Sequence, residues 1–148
     1  MKILFTSLLT LILHIATAQE SYPVHRGQIL FEGHDPVAYF DQMQIQGKEA
    51  YAFEMEGRRI LFASEEHLKM FKEAPEKFMP AYGGWCAIAM ADKTFVVPDY
   101  SLYKIQDGQL MFFAIRAFFN GLTQWEKNPA ANKIRADTNY VMFFPKDP

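Results

Sequence analysis

Three side chains able to donate an electron pair to a soft or borderline metal ion stand far apart in the sequence and could form one site: His34, His67 and Cys86. A thiolate with two imidazoles is the donor set of an open tetrahedral zinc site, and it suits copper equally well. Sequence separation neither supports nor forbids such a composite site, so the fold must decide whether the three converge. Each also has a plainer role. Cys86 follows Gly83-Gly84; if those glycines open a helix, the positive end of its dipole lowers the thiol pKa and favours a reactive thiolate. Otherwise Cys86 is a small buried residue beside Trp85. His34 precedes Asp35-Pro36 and can join that carboxylate in a metal site, whereas Asp35 can instead cap the turn that follows. His67 can ligate a metal, shuttle a proton or hydrogen-bond near the start of a helix.

Other chemistry is poorly supplied. No serine lies in a Gly-x-Ser-x-Gly elbow, and there is no glycine-rich phosphate loop, His-Glu-x-x-His pair or dinucleotide fingerprint. No catalytic residue is assigned and no enzyme is expected. Glu65-Glu66 are neighbours whose side chains diverge on a helix, so they complement a helix dipole better than they form an acid pair. Met70, Met79, Met90 and Met111 are scattered singly, which favours core filling over a thioether site for Cu(I). Met111-Phe112-Phe113 and Phe118-Phe119 can line a pocket or a partner surface, or form a core strand and helix face. With a net charge of -2 and no basic cluster, the chain lacks the means to neutralise a row of phosphates, and nucleic-acid binding is disfavoured.

These residues sit in a chain of simple organisation. Residues 1–18 have one positive charge, an apolar run and small residues at Ala16 and Ala18, the pattern of a cleaved secretory signal peptide. Export to a periplasm or the extracellular space follows from that reading, and it removes His14 from any site. The apolar run is shorter than the roughly 20 residues needed to span a bilayer. Residues 19–30 read as an N-terminal arm containing His25, 31–140 as the domain and 141–148 as a tail. Half of the sequence is apolar and 16% is aromatic, enough for one packed core without staples. A single cysteine excludes an intramolecular disulfide.

The elements expected are hairpins and short helices. Pro36 to Phe40 reads as a strand; Tyr51, Phe53 and Met55 alternate with polar residues up to Gly57, and Ile60 to Phe62 completes a hairpin. Ser64 before Glu65-Glu66 is an N-cap signal, predicting a helix from Glu65 to Glu73 with a further turn at Pro75 to Phe78. Trp85 to Ala91 is buried as helix or strand. Asp107-Gly108 predicts a second hairpin between 102–106 and 109–114. Helices over 117–127 and 129–140, the latter with Asn128 as N-cap and Pro129 at its first position, close the domain.

Gly33-His34-Asp35-Pro36-Val37-Ala38-Tyr39-Phe40, Leu61-Phe62-Ala63-Ser64-Glu65-Glu66-His67, Pro75-Glu76-Lys77-Phe78 and Tyr82-Gly83-Gly84-Trp85-Cys86-Ala87 occur in that order. Together with Gly57, Phe71, Pro80 and Asp107-Gly108 they resemble exported, free-standing members of the YHS-domain family over about Leu30 to Tyr140. The resemblance implies a small α+β domain with an antiparallel sheet built from hairpins and several short helices. Relatives found beside metal-transport proteins carry cysteines where this chain has Ala38 and Ala63, and a third at the position of His67. The expectation is an exported, non-enzymatic binding module whose ligand is a transition metal ion, copper or zinc, or a partner protein. A thiol-dependent redox accessory protein using Cys86 and a structural interaction domain are the alternatives.

Overall fold

The computed structural model describes Tyr22, Pro23 and residues 28–145. The segment expected to be a signal peptide, 1–18, and His25 lie outside the described residues. The fold is α+β, a single domain whose strands form three two-stranded antiparallel sheets.

Two long hairpins arise where sequence patterning meets turn chemistry. β1 (Lys48–Met55) pairs with β2 (Arg58–Phe62), with Met55 opposite Arg58. Glu56 and Gly57 both take positive φ at this connection, as a two-residue turn matched to strand twist requires. β3 (Asp99–Gln106) pairs with β4 (Gln109–Phe113) through Asp107 and Gly108 in the same way.

Helix caps match the residues that mark them. Ser64 Oγ accepts from the His67 amide at 3.1 Å and starts α1 (Glu65–Glu73). Pro75 opens the single-turn α2 (Pro75–Phe78). Trp85 to Ala91 resolves to a short helix, α3 (Ala87–Ala91), all of whose side chains are buried. Asn128 Oδ1 accepts from the Ala131 amide at 3.3 Å, and α5 runs from Pro129 to Phe143, into the predicted tail. Asn139 on α5 donates to the carbonyls of Met90 at 2.9 Å and Ala91 at 3.0 Å, tying the end of α3 to the long helix.

Two expectations are corrected. Pro36 to Phe40 is not a strand: Ala38–Asp41 form a 3-10 turn, because Asp35 Oδ1 collects the amides of Val37 and Ala38 and closes the chain on itself. The helix expected over 117–127 is shorter. β5 (Ile115–Arg116) and β6 (Phe119–Asn120) form a small hairpin, and only then does α4 (Gly121–Trp125) begin, with Asn120 Oδ1 accepting from the Thr123 amide at 3.0 Å.

The buried side chains fall into two clusters on either side of β4. Leu110 and Phe112 enter one with Leu30, Tyr39, Phe62 and Phe71; Met111 and Phe113 enter the other with Cys86, Met90, Trp125 and Ala136. Alternation along one strand therefore serves two cores at once.

Candidate functional site

The site is built around a carboxylate buried to the last atom. Asp35 is fully enclosed, at 0% exposure, and both its oxygens accept hydrogen bonds. Oδ1 takes the amides of Val37 at 2.8 Å and Ala38 at 3.3 Å; Oδ2 takes the amide of Ala63 at 2.8 Å and Nδ1 of His67 at 2.6 Å. Three chain segments meet at this one side chain: the Pro36 turn, the end of β2 and the first turn of α1. A buried charge is tolerated only when it is paired and saturated with donors, and these four contacts meet that requirement.

The geometry settles what His67 offers. A carboxylate that already accepts three amides takes its fourth hydrogen bond from Nδ1–H of the imidazole, and in the neutral ring that tautomer leaves the lone pair on Nε2. The His67 side chain is 16% exposed, and Nε2 has no hydrogen-bond partner among the described residues. Capping by Ser64 fixes the backbone of His67, and the carboxylate fixes its ring. A buried carboxylate behind a histidine whose far nitrogen is open is the arrangement that orients imidazole ligands in metal sites, and it serves equally for a hydrogen bond to a partner.

The other two predicted ligands do not join it. Cys86 is fully buried in the opposite cluster, and its Sγ accepts from the Ala114 amide at 3.2 Å. Burial pushes the thiol pKa up, against the lowering effect of the amides of Ala89, Ala114 and Ile88 and of Arg116. The expected helix-end activation is thus outweighed, and Gly83-Gly84 close a 3-10 turn instead of opening a helix. His34 lies against tyrosines, its ring stacked on Tyr100 at 6.1 Å and tilted against Tyr39 at 6.2 Å. Its Nδ1 is buried without a hydrogen-bond partner among the described residues. Burial lowers the His34 pKa, opposed by the charges of Glu32 and Asp99.

The composite of His34, His67 and Cys86 is therefore corrected: among the described residues no three His, Cys, Asp or Glu side chains are grouped so as to hold a metal ion. A resident ion held by those three does not fit. Met90 and Met111 are buried core residues, while Met70 and Met79 pack partly buried against the Phe71 cluster, which agrees with core filling. Capping by Asp35 was legible in Asp35-Pro36, but its reach to Ala63 and His67 was not. No spacing or periodicity in the sequence links Asp35 to Ala63 or His67.

No helix among the described residues is long and apolar enough to cross a membrane. Compared with models of protein families, with characterised proteins and with solved structures, the chain matches none of them.

Proposed function

We propose that this chain is an exported, non-enzymatic binding module of the YHS type that engages its ligand through His67. One observation supports the reading: the Asp35–His67 pair, with the imidazole locked at Nδ1 and open at Nε2. The backbone amides of Ala38 and Ala63, the positions at which metal-binding relatives carry cysteines, meet the same carboxylate. One imidazole fills one coordination position, so a copper or zinc ion here draws its other ligands from water or from a partner protein. The thiol reading has no comparable support, because Cys86 is enclosed and its pKa is raised.

Titration of residues 19–148 with Cu(II) and Zn(II), followed by NMR of the histidine rings, tests this. His67 Nε2 should respond first, and His67→Ala should abolish that response while leaving the fold intact. Equal binding by wild type and His67→Ala would overturn the site. A second arm bears on the family: Ala38→Cys with Ala63→Cys should tighten zinc binding by roughly tenfold or more, as thiolates do. A folded double variant with no gain would remove the YHS part of the reading while leaving His67 standing.

A further inference from the structure

The β5–β6 hairpin exposes apolar surface that the core does not use. Phe118, at its tip, is 105% exposed, and Ile115 and Phe119 beside it are also exposed. Arg116 donates Nη1 to the Ile115 carbonyl at 2.8 Å and Nη2 to the Val97 carbonyl at 3.3 Å, which places exposed Val97 against the same hairpin. From Gln109 to Trp125 the chain carries one charge, that of Arg116, and no carboxylate.

We propose that this hairpin docks on a phospholipid surface, with Phe118 and Phe119 entering the interfacial region and Arg116 meeting lipid phosphate. Two features favour a bilayer over a protein partner. The exposed apolar side chains amount to roughly 400 Å², counting about 200 Å² for a fully exposed aromatic side chain. That is close to the apolar half of a standard protein interface, but it is carried on a protruding two-residue tip: a protein partner would need a matched concave surface, whereas a bilayer interface accepts a small convex tip without one. The charge is also complementary: the guanidinium has donors left over after its two carbonyl bonds, and no neighbouring carboxylate in this stretch would have to be desolvated or would repel phosphate. The inference goes beyond the His67 reading and does not depend on it.

Vesicle co-sedimentation tests it, using residues 19–148 so that the apolar leader does not itself bind lipid. Vesicles are phosphatidylcholine alone and phosphatidylcholine with phosphatidylglycerol. The wild type should sediment with both, more strongly with the anionic mixture, and Phe118→Ser with Phe119→Ser should reduce the bound fraction by roughly tenfold, as loss of buried apolar area predicts. Phe118→Trp supplies a second readout: its emission should move to shorter wavelength on adding vesicles, over the fixed background of buried Trp85 and Trp125. Absence of wild-type sedimentation, or sedimentation unchanged in the double serine variant, would overturn the proposal. Concentration-dependent dimerisation lost in Phe118→Ser, without lipid binding, would overturn it in favour of a second copy of this chain.

Discussion

His34 is the residue at which burial and charge are most at odds. Its Nδ1 is enclosed with no partner among the described residues, and its ring lies against Tyr39 and Tyr100, while Glu32 and Asp99 supply the charges that favour protonation. Desolvation is the larger effect, so the folded-state pKa lies below the ordinary histidine value of 6.5. Between the unfolded and folded pKa the unfolded chain holds more protons than the folded one, and stability must fall as pH drops through that window. Urea unfolding from pH 7.5 to 5.5 should therefore show falling stability, with a shallower decline in His34→Gln. Since His25 and His67 are present in both proteins, the difference between the two slopes belongs to His34; identical slopes would show that its environment does not disfavour the cation. Cys86 makes a parallel case for neutrality. A fully buried thiol with a raised pKa should resist iodoacetamide in the folded protein at pH 7.5 and react at once in denaturant.

Among the elements, the Asp35 junction joins the Pro36 turn to the end of β2 and the first turn of α1. Asp35→Ala would strand the amides of Val37, Ala38 and Ala63 and leave His67 without its anchor. Each buried donor left unsatisfied costs about 1–3 kcal/mol, so a loss on the order of 3 kcal/mol or more is expected. His67→Ala, which removes one partly exposed contact, should cost about 1 kcal/mol. Urea midpoints at constant slope check both, and equal losses would mean that the carboxylate is held by His67 alone. Such junctions explain what the sequence could and could not convey. Local rules sufficed where one segment decides its own structure: the Gly57 and Asp107-Gly108 turns, the Ser64 and Asn128 caps, and the proline-opened α2. They misled where a distant or side-chain contact overrode propensity. Val37 to Phe40 favours a strand by composition but curls around Asp35, and Ala117 to Asn120, expected to start a helix, instead forms the Phe118 tip and the returning strand of a hairpin. The candidate site was legible only residue by residue. His67 was singled out, yet its carboxylate partner stands in another segment, and no periodicity links residue 35 to residue 67. Cys86 and His34 stand out by chemical type and by their immediate neighbours, and neither says which side of the core a side chain enters.

At the scale of the whole molecule, β4 governs how the two cores behave together. Leu110 and Phe112 belong to the cluster beneath the Asp35 junction, and Met111 and Phe113 to the cluster that holds α3, α4 and α5. Neither core can lose this strand and remain closed, so the domain should unfold as one unit despite its two clusters. Reporters on the two sides are already present. Trp85 and Trp125 lie in one cluster, while His67 and His34 sit at the edge of the other. Tryptophan fluorescence and histidine ring NMR should therefore give the same urea midpoint. The sharper form of the prediction uses Phe112→Ala. Its ring contacts Tyr39 at 5.1 Å and Tyr100 at 4.8 Å, both in the histidine-side cluster, and its removal should cost about 3–5 kcal/mol. If β4 couples the cores, that loss moves the tryptophan midpoint as far as the histidine midpoint, although neither tryptophan belongs to the cluster that Phe112 leaves. A shift confined to the histidines would show two separately folding halves, and the Asp35–His67 pair could then be lost locally while the α5 side of the molecule stays intact.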